Sequence, residues 1–305
     1  MNLRVGSRGS QLALWQAEHI SALLRGAGHR VEIEIIRTTG DRLQEISFAE
    51  VGAQTGSKGI FTKEIEEALA ERRVDLAVHS LKDLPTELPE GFLLAATPPR
   101  VDPRDVFVSV NYQSLAELPS GARVGTSSTR RRAQLRAVRS DLELVEFRGN
   151  VDTRLRKLGE GQVEGILLAA AGLDRLGKTE WVRERIDPAV LCPSAGQGAL
   201  GIEIRLNDVA TLSALQFLND ATTQFSVTAE RTALGALGGG CQTPIGVYCR
   251  ETDPGSYEMM GVVAAADGSK LIRGLQSGNE AAELGRALAR ELLDAGAREL
   301  LGVAK

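Results

Sequence analysis

Cysteine and histidine are scarce in this chain of 305 residues. There are three of each, Cys192, Cys241 and Cys249 with no CxxC pair, and His19, His29 and His79. A disulfide framework or a tetrahedral zinc site needs paired thiols, or thiols close in sequence to imidazoles, so neither is expected, and no metal. Aromatic residues make up only 4%, and there is no basic excess, the net charge being −4. Nucleic-acid binding draws on basic surface and stacking aromatics and is therefore not expected. Long apolar runs are missing too. The longest, about Ile166 to Leu173, falls far short of the roughly 20 residues a membrane helix needs. The opening Met1–Arg8 reaches a charge too early for the apolar stretch of a secretory leader. A cytoplasmic protein without membrane contact is the expectation.

What the chain has is an alternation of short apolar strands with amphipathic helices. Its length suggests two or three domains. Leu3–Ser7 reads as a strand, followed by a helix through Leu12, Trp15, Ile20 and Leu23; Val31–Thr38 alternates with period two and reads as a half-buried strand. A loop, Gly52–Gly59, leads to a helix from about Phe61 to Arg72 and a strand over Asp75–Leu81. Thr97–Asp105 holds three prolines, Pro98, Pro99 and Pro103, and reads as an interdomain crossing. The rhythm resumes with strands at Arg123–Thr126, Leu142–Phe147 and Gly165–Ala170, and helices at Ser128–Val138 and Val151–Leu158. A second break, Cys192–Gly198, precedes a strand at Gly201–Arg205, which two crossings would return to the first lobe. From about Asp220 a third unit follows, closing in a helix with Leu284, Leu288 and Leu292 in one stripe. Such a βαβ rhythm implies α/β architecture with mainly parallel sheets, plus a smaller C-terminal α+β domain. The expected domains are 1–98 with 199–216, 104–193, and 220–305.

Arginines recur just after the strands. Arg8 follows the first, with Ser10 opening the next helix. Arg130 and Arg131 start the helix behind the hydroxyl run Thr126–Thr129; Arg148, Arg154 and Arg175 follow the next two strands. Ligands of open α/β sheets bind outside the carboxyl ends of the strands, where helix N-termini favour anions. Guanidinium forks at that edge would make a site for several carboxylates or phosphates. Any single arginine would more often be a solvated surface residue; six at strand ends are harder to attribute to chance. Arg132, Arg136 and Arg139 share one helix face and read as surface. Gly196–Gly201 matches GxGxxG but leads into a strand, the reverse of the dinucleotide fingerprint. His79-Ser-Leu-Lys-Asp-Leu-Pro85 places four polar side chains at a strand's carboxyl end, where a plain Lys82–Asp83 surface pair is the bland alternative. Three glycines before Cys241 allow a close or strained backbone, which sets it apart from an ordinary buried cysteine.

Together these stretches resemble the porphobilinogen deaminases along nearly the whole chain. The motifs are Gly6-Ser-Arg8, Lys58-Gly-Ile-Phe61, His79–Pro85, Gly125–Arg131, Arg148-Gly-Asn-Val, Ala170-Ala-Gly-Leu, Gly196-Gln-Gly-Ala199 and Gly239-Gly-Cys-Gln242. Gly56-Ser-Lys58, Thr129 and Gln54 depart from the family's usual residues. The resemblance implies two lobes built like periplasmic solute-binding proteins and a third domain. It also implies an enzyme that joins four porphobilinogen molecules into hydroxymethylbilane, releasing ammonia, in tetrapyrrole biosynthesis. A dipyrromethane cofactor, held by a thioether to Cys241, is implied as well. By the same resemblance Asp83 is the catalytic carboxylate. Lys82, Ser128, Arg130 and Arg131, with Ser80 and Thr126, hold cofactor carboxylates; Arg8, Ser10, Arg148, Arg154, Arg175 and Lys58 face substrate. A monomer is expected. Two other classes fit parts of the pattern: a solute receptor, which would leave Cys241 free, and a cysteine hydrolase, for which His79 is the only candidate base.

Overall fold

The computed structural model describes residues 1–39, 62–239 and 243–302. Its first strands are β1 (Asn2–Ser7), β2 (Arg30–Ile35), β3 (Leu76–Ser80) and β4 (Phe92–Ala96). Then come β5 (Asp105–Val108), β6 (Arg123–Gly125), β7 (Glu143–Val145), β8 (Gly165–Ala169) and β9 (Val182–Arg185). The last are β10 (Leu200–Arg205), β11 (Ile245–Asp253), β12 (Ser256–Ala264) and β13 (Leu271–Gly278). The chain forms two compact units, residues 1–100 with 199–221, and residues 101–198 with 222–305.

The first unit is built on a five-stranded sheet in the order β2-β1-β3-β10-β4. β1 pairs in parallel with β2 and β3, whereas β10 runs antiparallel to both β3 and β4. Leu3, Val5, Leu76, Val78, Ile202 and Ile204 are buried with Ala17, Ile20 and Leu24 of the helix Gln11–Gly26. That helix corrects one expectation. Trp15 and Leu23 are exposed, and the inward face is Gln16, Ala17, Ile20, Ser21 and Leu24. The spacing of 17, 20 and 24 is helical, and two polar residues complete the stripe. The helix after the loop is Lys63–Ala70, shorter than the expected Phe61–Arg72.

The second unit repeats the arrangement in the order β7-β6-β8-β5-β9. β6 is parallel to β7 and β8, and β5 is antiparallel to β8 and β9. Each sheet therefore carries one reversed strand in its fourth place, β10 in one and β5 in the other. Both follow directly on a chain crossing. The sheets are mixed: four strands of each run one way and one against them. β4, β5, β9 and β13 were not anticipated. β5 starts at Asp105, inside the proline-rich stretch read as a crossing, and its Val106, Phe107 and Val108 are fully buried. A short apolar run with no alternation gives little periodic signal. The same unit holds a three-stranded antiparallel sheet, β11-β12-β13, against which Leu284, Leu288 and Leu292 pack.

The Gly196–Gly201 stretch has a backbone purpose. Gly198 lies at φ +86°, and a Cβ there would sit 2.5 Å from the carbonyl oxygen of Val101. Glycine is the residue that tolerates both constraints.

Candidate active site

In the first unit, parallel pairing of β1 and β3 brings their carboxyl ends to one edge of the sheet. Ser7 closes β1, its hydroxyl donating to the carbonyls of Arg8 and Ala13. Ser10 caps the next helix by accepting from the Ala13 N–H at 3.3 Å. Arg8, between them, is half-buried. At the end of β3 the Ser80 hydroxyl accepts from Gln16 Nε2 at 2.8 Å, and the Leu81 N–H donates to Ala199. Leu81–Asp83 then makes a single 3-10 turn with Leu81 buried, Lys82 half-buried and Asp83 exposed. No hydrogen bond or ion pair to another described residue engages Asp83. Its carboxylate is thus presented by a turn fixed at Ser80 and Leu81.

Behind that turn His79 is buried, Nε2 lying 2.9 Å from Oε2 of the fully buried Glu203 on β10. The two groups are close but not aligned as a hydrogen bond, and both Glu203 oxygens lack a hydrogen-bond donor among the described residues. Nearby, burial first and then Glu203 push the carboxyl of Glu66 upward, against the opposing Thr62 hydroxyl and His79.

In the second unit, β7, β6 and β8 are parallel neighbours, so their carboxyl ends also share an edge. After β6, buried Thr126 accepts from the Ser128 N–H at 3.3 Å, and Ser128 caps the helix Thr129–Val138 by accepting from Arg131 N at 3.4 Å. Each hydroxyl accepts in these bonds and keeps its own O–H to donate. Arg130 and Arg131 are buried around Asp105, their nitrogens 2.7 Å from its two oxygens. Burial works to raise the Asp105 carboxyl, but the two guanidiniums hold it well below its ordinary range.

After β7, Arg148 pairs with Glu146. Arg154, in the helix Val151–Gly159, has its Nε shut off from water without a hydrogen-bond partner among the described residues. Burial, and then repulsion by Arg131 and Arg148, lower its guanidinium to about 10. Arg175, at the end of the helix after β8, is buried and donates to the Gly198 carbonyl at 2.8 Å; burial takes it to about 10, opposed by Asp174.

The structure thus brings Thr126, Ser128, Arg130, Arg131, Arg148, Arg154 and Arg175 to one edge of the second sheet, and Arg8, Ser10, Ser80, Lys82 and Asp83 to one edge of the first. Lys58 and Cys241 lie outside the described residues. Sequence reasoning missed Asp105, Gln197, Gln16 and Glu203. An aspartate directly before Val-Phe-Val was the available sign of a buried acid, masked by the prolines around it. Among the described residues no group of histidine, cysteine and carboxylate could hold a metal.

What this edge can bind follows from its charge. Arg130 and Arg131 face one buried acid, Asp105, and Arg154 Nε has no acceptor among the described residues. Such a donor set suits a ligand carrying several carboxylates.

Family models match the chain over most of its length. One, "Porphobilinogen deaminase, dipyromethane cofactor binding domain", covers residues 3–213, and a second, "Porphobilinogen deaminase, C-terminal domain", covers 224–294. The porphobilinogen deaminase of Syntrophobacter fumaroxidans is 48% identical, spanning 98% of this chain and 96% of that one. That of Desulforudis audaxviator is 50% identical over 97% and 96%. Among solved structures the methionine-binding protein MetQ, 14% identical, aligns with a TM-score of 0.42 over 70% of this chain and 90% of its own.

Proposed function

The chain belongs to the porphobilinogen deaminase family, and from that premise we propose which of its residues do the family's work. The enzyme makes hydroxymethylbilane from porphobilinogen with release of ammonia, in tetrapyrrole biosynthesis. It uses a dipyrromethane cofactor. The cofactor supplies, when bound, the anchored pyrrole end to which substrate units are added.

The donor set of the second unit fits that group. Arg130 and Arg131 would hold its carboxylates, helped by the O–H groups of Ser128 and Thr126; Lys82 and Ser80 are proposed for the same role. The observation that carries this assignment is the excess of two buried guanidiniums over one acid at Asp105, with Arg154 Nε left without an acceptor among the described residues. Cys241 would be the covalent anchor; a thiolate is the soft nucleophile that a thioether requires. Arg8, Ser10, Arg148, Arg154 and Lys58 would take the acetate and propionate arms of incoming substrate. Arg175 is the weakest member of that set, because its Nη2 is already committed to Gly198. The division into domains of 1–98 with 199–216, 104–193 and 220–305 belongs to the same proposal, as does a monomer working in the cytoplasm. No described helix is long and apolar enough to cross a membrane.

Asp83 would be the catalytic carboxylate. Its exposed carboxylate, carried on a turn fixed at Ser80 and Leu81, can accept pyrrole N–H bonds and stabilise the cation left when a substrate unit loses ammonia. The test is ammonia release per holo-enzyme in Asp83→Glu and Asp83→Asn. Glutamate moves the charge by about 1 Å, a misplacement that can cost about a hundredfold in rate. Asparagine keeps the shape and loses the charge, and should do no better. A plain surface pair with Lys82 would instead leave turnover intact and cost at most about 1 kcal/mol of stability. Near-wild-type turnover in Asp83→Asn would end the assignment.

A further inference from the structure

No step of the proposed reaction uses Asp105, yet its side chain accepts five hydrogen bonds. It opens β5 and is fully buried. Arg130 donates to it from Nη1 at 2.7 Å and Nη2 at 3.3 Å, and Arg131 from Nε at 3.1 Å and Nη2 at 2.7 Å. Gln197 Nε2 donates at 2.8 Å, and also reaches the Pro103 carbonyl at 2.7 Å. A carboxylate offers about four acceptor positions, so this one is saturated and its placement is over-determined. Each guanidinium is tied further, Arg130 through the same Nη1 to Cys192 O at 2.6 Å and Arg131 through Nη1 to Leu167 O at 3.0 Å. A guanidinium has five N–H groups. Three bonds are described for each of these arginines, which leaves each with N–H groups to spare.

We infer that Asp105 is the positioning residue of the arginine pair. It locks the two forks in one geometry, so that their unused N–H groups are set for the carboxylates of the cofactor, and Gln197 braces it from the chain segment after Cys192. The inference rests on the assignment of Arg130 and Arg131 to the cofactor. It goes further by making capture of that group depend on a residue that never touches it. A stabilising counter-charge alone would predict a different outcome: lower melting without any change in how readily folded protein acquires the cofactor.

The experiment follows that acquisition directly. Apo-protein is given porphobilinogen, and the covalent mass gain is read after denaturation, with melting by circular dichroism recorded in parallel. Wild type is compared with Asp105→Asn, Gln197→Leu and Arg131→Gln at equal folded fraction. Loss of a supporting residue behind a binding group costs about ten- to a hundredfold. Asp105→Asn should therefore gain mass that much more slowly and need more porphobilinogen for half-maximal gain. Gln197→Leu should show a smaller defect of the same kind, and it decides the matter if Asp105→Asn does not fold. Arg131→Gln should keep its bare sequence mass. Gain at the wild-type rate in folded Asp105→Asn, or in Gln197→Leu if only that variant folds, overturns the positioning role if Arg131→Gln still stays bare. Gain at the wild-type rate in all three overturns the arginine assignment itself.

Discussion

Replacing Arg154 by methionine should separate stability from binding at a single residue. Methionine keeps most of the apolar stem and removes the guanidinium, whose Nε is buried without a partner among the described residues. Burial, together with Arg131 and Arg148, brings that guanidinium from 12.5 down to about 10. At about 1.4 kcal/mol for each tenfold change, keeping it charged at neutral pH costs the apo-protein roughly 3 kcal/mol. Partial access to solvent reduces this to about 1–2 kcal/mol. The sign follows from the direction: a base lowered in the folded state destabilises the fold at every pH below its lowered value, and the penalty fades only as pH rises beyond it. Arg154→Met should therefore melt a few degrees higher than wild type at pH 7 to 8, measured on apo-protein. The same change removes a charge-assisted contact worth about 1.5–3 kcal/mol. The porphobilinogen concentration giving half-maximal ammonia release should rise roughly ten- to a hundredfold. A variant that melted lower and kept its substrate requirement would refute the reasoning, and would make Arg154 a structural tie.

Two further outcomes follow from the same geometry. Arg131→Gln should yield protein without cofactor, whereas Arg8→Gln should carry the cofactor and stall with substrate; denatured mass and ammonia release check the pair, and identical cofactor content and turnover in both would remove the division of roles. Gly198→Ala should destabilise by about 1–3 kcal/mol, because φ is +86° and the new Cβ would meet Val101 O at 2.5 Å; a melting point equal to wild type would show that the segment can shift.

Much of this was legible in the sequence because it is written in strand ends. Arg8, Arg130, Arg148, Arg154 and Arg175 each follow a strand whose apolar run is plain, so their collection along sheet edges needed only parallel pairing. Ser10 and Ser128 were read as ligand groups, and the structure gives both a capping bond as well. What was not legible depends on partners distant in sequence. Asp105 meets Arg130 and Arg131 across about 25 residues, and Gln197 across 92. Glu203 looks like a surface residue in an alternating strand, but β10 lies between β3 and β4 and is enclosed, so an outward-looking position is buried against His79. The inward face of the first helix was misjudged for a related reason: Gln16 is buried because it donates to Ser80, which no hydropathy pattern records.

We propose that this chain works through a covalently held, carboxylate-rich cofactor anchored at Cys241. Intact mass of the denatured protein, compared between wild type and Cys241→Ser, tests it most directly. Wild type should exceed its sequence mass by two linked pyrrole units, and Cys241→Ser should sit at its bare mass even after incubation with porphobilinogen. Wild type at bare mass after that incubation, or an excess that persists in Cys241→Ser, would contradict the account.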